Sequence, residues 1–352
     1  MAFTTYTISS LSEVPGAVRA FAASLGFDTE DGSIISFEHP LYSEARAFSV
    51  TYQRTGEGTT AERERLILGV AGVGSERSGA IVESPKFNIN GGSNLDALVI
   101  QQPTLLRLFG NLDTPAGQPG SSWIGGVIEY GFNLYRHFYL GYVQKVSHFE
   151  GGEAVTGSAQ WPSSPSSTST SRRGDDASVS LFPFSMKNNY VDGGGGGVYV
   201  GHPENPTPWR TFYVPLGSST ASFDDQFASV GESCVLGGFS DSINTGYMAA
   251  GKSPFSGNQI LTPINLYIGH RIEPNQYFRA IGAPAGVRMV HMEDLEPGAS
   301  VQIGTQNWMV FPVFSKQSSF SVFRHGGNPG TNYRFPYMNS SQYAGMAYLM
   351  NE

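Results

Sequence analysis

The chain has one cysteine, Cys234, in 352 residues. An intrachain disulfide is therefore excluded, and so is a cysteine-based metal cluster. The fold must hold by packing and sheet pairing. Charge is scarce as well: Asp, Glu, Lys and Arg make up 14% of the residues, against a usual value of about 25%. The balance is acidic, with a formal net charge of −8, and the longest basic run is the pair Arg172–Arg173. Nucleic-acid binders carry a basic stripe, so no nucleic-acid partner is expected. No apolar run is long enough to cross a membrane as a helix, which takes roughly 18 residues or more. The opening, MAFTTYTISSLSE, has neither the basic nor the apolar region of a secretory signal. Synthesis in the cytosol without such a signal is the expectation.

Catalytic signatures are missing too. There is no G-x-S-x-G elbow, no H-E-x-x-H and no Walker sequence. The histidines (His39, His137, His148, His202, His270, His291 and His325) are scattered. His291 with Glu293 and Asp294 is the nearest approach to a metal set, and a turn with exposed acids is the better reading. Asp224–Asp225 and Glu293–Asp294 are adjacent pairs. Glycoside hydrolysis needs two carboxyls about 5–10 Å apart across a cleft, whereas neighbours on a strand point to opposite faces. Gly193–Gly197 is a run of five glycines followed by VYVG and HPENPTP. A phosphate loop would need Lys-Ser/Thr and a helix there, so a hairpin tip is the better reading. Arg173–Gly174–Asp175 matches an integrin-recognition tripeptide, too short to carry weight. No enzyme activity, cofactor or metal is expected.

What the chain does have is glycine (44), proline (21) and 12% aromatic residues. That composition suits short strands joined by turns and loops. The fold class expected is mainly β within α+β: antiparallel sheets, sandwich-like, with one N-terminal amphipathic helix and long loops. The central stretch is Trp123–Gly152, WIGGVIEYGFNLYRHFYLGYVQKVSHFEGG. Its composition predicts two long strands, 124–131 and 134–147, with a bend at Gly131–Asn133. Alternation puts Ile128, Tyr130, Phe132 and Leu134 on one face, continued past Arg136 by Phe138, Leu140 and Tyr142. The other face carries Glu129, Asn133, Tyr135, His137 and Tyr139. That face is either an assembly surface, since Tyr and Arg are enriched in interface hot spots, or a core face covered by the chain itself.

The helix is expected after residue 8. Ser10 or Ser12 caps it, Pro15 falls in its first turn, and Gly26 ends it. Val14, Val18, Phe21 and Leu25 form its inward stripe. Asp31–Gly32 reads as a hairpin turn. Further strands are expected at 47–52, 66–73 and 95–101, with 104–109 either a strand or a helical turn. Residues 55–65 and 74–80 read as loops. The Ser/Pro-rich tract at 157–178 divides the chain into an N-terminal α+β domain (1–156) and a C-terminal β-rich domain (179–352). In the second part, strands are expected at 179–186, 207–217, 260–271, 277–292 and 301–314, with 218–257 irregular. The tail around YAGMAY suits a segment that docks on a neighbour.

Several segments together resemble virion proteins of tailed bacteriophages. GFNLYRHFYLGYVQKVSHFEGG contains a strand motif of the type Tyr-x-His-Phe-x-x-Gly-x-x-x-Lys before a Gly-Gly turn. The helix running into LGFDTEDGSI, then RAIGAPAGVRMV, VQIGTQNWMVFPVF and the YAGMAY tail, are similar to the rest of that pattern. The Ser/Pro tract and the five glycines are not part of it. The resemblance implies a structural component of the tail, collar or baseplate, made in the host cytoplasm and located in the virion. It implies assembly with itself, as a homo-oligomer, and with other virion structural proteins, and no membrane partner. The contact residues expected are Tyr135, Arg136, His137, Tyr139, Tyr343 and Tyr348. The alternative is a receptor- or carbohydrate-binding β-module of an adhesion device, stacking sugars on Trp161, Trp209 or Trp308. Of these, Trp308 lies in an alternating strand and is expected in the core. A hydrolase using Asp224 or Asp225 ranks below both.

Overall fold

The computed structural model describes residues 1–29, 34–38, 45–57, 62–71, 77–84, 86–88, 98–112, 122–131, 134–145, 152–157, 197–201, 209–213, 232–236, 261–263, 266–272, 275–292, 295–312 and 344–351. Strand β1 (Ala2–Thr7) leads through a 3-10 turn (Leu11–Glu13) into helix α1 (Val14–Leu25). Four strands follow: β2 (Ile34–Glu38), β3 (Ala45–Thr55), β4 (Arg63–Ala71) and β5 (Arg77–Glu83). A short pair, β6 (Lys86–Asn88) and β7 (Leu98–Ile100), precedes three long strands: β8 (Pro103–Asn111), β9 (Trp123–Tyr130) and β10 (Leu134–Lys145). Next come β11 (Gly152–Gly157), β12 (Gly197–Gly201), β13 (Trp209–Tyr213) and β14 (Glu232–Leu236). The remainder is β15 (Thr262–Pro263), β16 (Leu266–Ile272), β17 (Asn275–Pro284), β18 (Val287–His291), β19 (Ser300–Ile303), β20 (Gln306–Pro312) and β21 (Ala344–Asn351). All the pairings are antiparallel.

The largest sheet runs β1-β8-β9-β10-β11-β12-β13. Past Gly141, where β9 ends its pairing, the far end of β10 takes β17 instead, through Val143–Pro284 to Lys145–Gly282. Strands β16 and β14 extend that branch. A five-stranded sheet runs β15-β18-β21-β20-β19, and a four-stranded one β2-β3-β4-β5. Fold class is as the composition implies: mainly β, antiparallel, with one short N-terminal helix.

Three layers result, with the strands β8, β9 and β10 in the middle. One face of these strands carries Leu106, Leu108, Ile124, Ile128, Tyr130, Leu134, Phe138 and Leu140, all buried. They pack against Val14, Val18 and Phe21 of α1 and against Phe48, Val50, Leu66, Leu68 and Val82 of the four-stranded sheet. The opposite face is covered by the five-stranded sheet. The helix forms for the reasons its sequence gives. Ser10 accepts a hydrogen bond from the Ser12 amide at 3.2 Å and so caps the 3-10 turn, while Glu13 reaches back to the Ser9 amide at 3.1 Å. Gly26 closes α1 with φ 96°, a left-handed position that glycine adopts at no steric cost.

Three expectations change. Residues 63–65, read as loop, open β4, paired with β3 from Thr55–Arg63 to Gln53–Arg65. Residues 77–80, read as loop, belong to β5, which pairs with β4 from Arg65–Glu83 to Val70–Arg77. Residues 232–236, in the stretch read as irregular, form β14 by pairing with β16. In each case a neighbouring strand supplies the partner that local sequence does not reveal. Thr104–Phe109 is strand. The tail docks within the chain: β21 is the middle strand of the five-stranded sheet. The Asp31–Gly32 turn, the strand expected at 179–186, Gly193–Gly196 and the dividing tract 158–178 lie outside the described residues. Strands from both sides of that tract pair in one sheet, as β10 does with β17.

The passage from the large sheet to the five-stranded sheet is the Ala285–Gly286 turn between β17 and β18. Gly286 has φ 66°, and a Cβ on it would fall within the Trp123 indole. Gly286→Ala is expected to destabilise the protein by about 2–5 kcal/mol, combining about 1–2 kcal/mol for the left-handed backbone with about 1–3 kcal/mol for overpacking. Gly131→Ala, with nothing within 4 Å of the added methyl, is the near-neutral control. Urea unfolding followed by tryptophan fluorescence measures both.

Candidate functional site

The candidate contact residues Tyr135, His137 and Tyr139 alternate on one face of β10, as strand geometry requires. Tyr348 comes to the same place from β21. The four side chains are between 0% and 2% exposed. This face is therefore an interior, covered by the chain's own β18, β20 and β21, and these residues do not present themselves to another subunit. Arg136 is 1% exposed and belongs to the opposite face, where its neighbour across the pair is Ile128. Tyr343 lies outside the described residues. Of the two readings of this strand pair, the structure shows the one in which the chain covers its own second face.

His137 has both ring nitrogens engaged in this layer. Its Nε2 lies 2.8 Å from the Pro312 carbonyl oxygen. A carbonyl only accepts, so Nε2 carries a proton and donates. Its Nδ1 lies 2.8 Å from the Tyr348 hydroxyl. With Nε2 protonated in the neutral tautomer, Nδ1 accepts and the Tyr348 O–H donates. The imidazole is thus fixed in one tautomer by two groups of the facing sheet. It also lies parallel to the Tyr348 ring, with centroids 5.9 Å apart and planes at 5°.

Rings continue the layer on every side. Tyr348 stacks on Phe109 at 4.9 Å, over Gly125, where any Cβ would collide with it. Tyr139 stacks on Trp123 at 6.2 Å, and its hydroxyl accepts the Ala285 amide at 3.0 Å. Tyr135 tilts against Phe311 at 5.9 Å. Each such pair adds about 0.5–1.5 kcal/mol beyond the area it buries. The Arg107 guanidinium lies 5.1 Å above the Phe311 ring and pairs with Glu129. Arg288 lies 5.5 Å above Trp308 and donates to its neighbour's carbonyl at Val287, 2.9 Å away. The partners Phe109, Trp123, Phe311 and Arg107 escape a strand-by-strand reading. Their only sequence signal is that they continue the same parity on β8, β9 and β20.

Burial sets the electrostatics. It holds the Tyr139 and Tyr348 hydroxyls far above the usual tyrosine range, and Tyr135 likewise, with the Glu129 charge adding to the effect. Burial also lowers Arg288 from the ordinary guanidinium value. On the opposite face, burial pushes Tyr130 up to about 12. Its hydroxyl is 3.4 Å from that of Ser84, with the Arg136 and Glu64 charges nearby. Tyr52 is raised to about 12 by burial and by donating to Glu64 at 2.9 Å.

Chemically, this is bracing. A general base must reach a substrate proton with a free lone pair, and both nitrogens of His137 are engaged by the covering sheet. Trp308 is 3% exposed, so its face is not available to a sugar. Among the described residues no group of three His, Cys, Asp or Glu could hold a metal ion. Cys234 lies in β14 opposite Ile268, while Trp161, Asp224, Asp225, Glu293 and Asp294 fall outside the described residues.

His137→Leu leaves the Pro312 carbonyl and the Tyr348 hydroxyl buried without their partner, and is expected to cost about 2–6 kcal/mol, at about 1–3 kcal/mol per group. Tyr348→Phe is expected to cost about 1–3 kcal/mol for the unmatched Nδ1. Chemical denaturation reads both. The raised tyrosines stay neutral in the folded protein at pH values where an unfolded chain would ionise. Their stabilising contribution is complete below pH ~10 and is lost as pH rises through about 12. Absorbance at 295 nm is therefore expected to show Tyr52, Tyr130, Tyr135, Tyr139 and Tyr348 ionising late, together with alkaline unfolding. Titration of all tyrosines near pH 10 in the folded protein would contradict the buried layer.

No protein-family model matches this chain, and no curated protein matches it either.

Proposed function

We propose that this chain is a structural subunit of a tailed-bacteriophage particle, a component of its tail, collar or baseplate, that works by contact with copies of itself and with other virion proteins. The observation that carries the reading is where four of the five phage-like segments lie. They are far apart in sequence, yet they pack into one interior. The Tyr-x-His-Phe segment is β10. RAIGAPAGVRMV forms the β17–β18 corner against Trp123 and Tyr139. VQIGTQNWMVFPVF supplies β19 and β20, whose Pro312 carbonyl accepts the hydrogen bond from His137. The YAGMAY tail supplies β21 and Tyr348. Resemblance in one segment is a weak signal. Resemblance in four segments that build a single layer is a coherent one.

The chemistry of that layer supports the same reading. Of its described polar side chains, His137 and Tyr348 bond from one sheet to another, and Tyr139 bonds to the turn that joins them. A subunit of this kind leaves contact to its edges and loops, and symmetric assemblies need only complementary patches there. Turnover, a cofactor and a metal have no part in the proposal.

Mass spectrometry of purified particles from an infected host tests it. The chain is expected in the particle in several copies, at constant ratio to the major tail or collar proteins. Its absence from particles that are otherwise complete would end the proposal.

A further inference from the structure

Among the described residues, strand β1 is the outer strand of the large sheet and pairs with β8 alone. Its register is unbroken from Ala2–Gly110 to Thr7–Leu105. Exposed edges are normally blunted by charge, proline, bulges or shortness, because unpaired backbone groups recruit other strands. The other edges of the described sheets follow that rule. Arg210 lies on β13, Glu232 on β14, Glu38 on β2, and Arg77 and Glu83 on β5. Pro263 lies on β15, and β19 is 4 residues long. In contrast, β1 is AFTTYT, 6 residues without charge, proline or bulge. It also carries Phe3, 37% exposed, with the ring stacked on Phe109 at 4.9 Å, next to Met1 at 41%.

The backbone directions follow from one bond. The Ile8 amide donates to the Thr104 carbonyl at 3.2 Å, toward β8. Antiparallel strands turn successive residues to opposite sides. The even-numbered residues therefore bond to β8, and the N–H and C=O groups of Phe3, Thr5 and Thr7 point outward. These three residues are exposed.

We infer that β1 is a self-pairing edge: two copies of this chain join β1 to β1, antiparallel, about a two-fold axis at Thr5, so that their large sheets become one. An isologous contact places residue i opposite residue j with a constant sum of their numbers. The register that uses all three outward residues sets Phe3 opposite Thr7, Thr5 opposite Thr5, and Thr7 opposite Phe3. That gives about six main-chain hydrogen bonds, two for each opposed pair. It also sets Thr4 opposite Tyr6 on the other face. Each aromatic thus meets a threonine, a favourable cross-strand pairing, and no like charges oppose each other. The strand is complementary to itself and offers no charge by which to select a different partner, so a second copy is the occupant. This inference does not require the chain to be a virion protein.

The test uses the purified full-length chain. Light scattering is expected to give twice the chain mass for the wild type. Thr5→Lys opposes two ammonium groups across the axis and is expected to halve that mass with the β-sheet circular dichroism unchanged. On mild oxidation in a Cys234→Ser background, Thr5→Cys is expected to form a covalent dimer at least tenfold faster than Thr4→Cys. A wild type that stays at single-chain mass across its soluble range overturns the inference, as does a folded Thr5→Lys variant of unchanged mass. Should that variant fail to fold, cross-linking decides: equal rates at positions 4 and 5, or none, overturn it. Loss of the virion reading by the particle measurement leaves these outcomes untouched.

Discussion

The middle strand pair, β9 and β10, is buried on both faces, and the rest of the molecule answers to that constraint. A strand with one wet face disposes of its polar side chains in solvent. Here every polar tip on the pair must find its partner inside the protein, since a buried unpaired group costs about 1–3 kcal/mol. The solution differs between the faces. Toward α1 and the four-stranded sheet the lining is aliphatic and phenyl, with a single polar group of residues around Tyr130, Ser84, Arg136 and Glu64. Toward the five-stranded sheet it is aromatic and polar, and the covering strands bring the acceptors and donors that His137, Tyr139 and Tyr348 need.

This arrangement also fixes register. A one-residue slip exchanges the two faces of a strand. On β10 it would drive Phe138 against the Pro312 carbonyl and put His137 into the aliphatic layer. Neither position tolerates the exchange, so the interlayer bonds of His137 act as a pin. Glycine makes the close approach possible. Gly125 lies under the Tyr348 ring, and Gly286 lies against the indole of Trp123. The sheets approach each other where a side chain has been removed, and large rings occupy the space.

A body built this way has its polar aromatic residues committed to cohesion. On the structural reading proposed above, recognition therefore moves outward, to sheet edges and to loops. It also explains why low charge and one cysteine are sufficient: the strands cross-brace one another through rings and main-chain bonds, without disulfides. The same commitment removes Trp308 from consideration as a sugar platform, because it is sealed under Arg288.

Local chemistry was legible in the sequence wherever a rule acts over a few residues. The helix with its glycine stop, the two long strands around Gly131 and the alternation along β10 all follow from side chains and their immediate neighbours. Fold class followed too, from the balance of glycine, aromatics and charge. What the sequence could not decide was which surface is the outside. Tyr135, His137 and Tyr139 have the composition of an exposed contact face and equally of a polar core, and alternation places them together in either case. Only the arrival of β18, β20 and β21, more than a hundred residues further along the chain, supplies the Pro312 carbonyl, the Tyr348 hydroxyl and the Ala285 amide that make burial affordable. Strands such as β5 and β14 were hidden for the same reason: sheet pairing is a contract between distant segments, and half of its terms are written elsewhere in the chain.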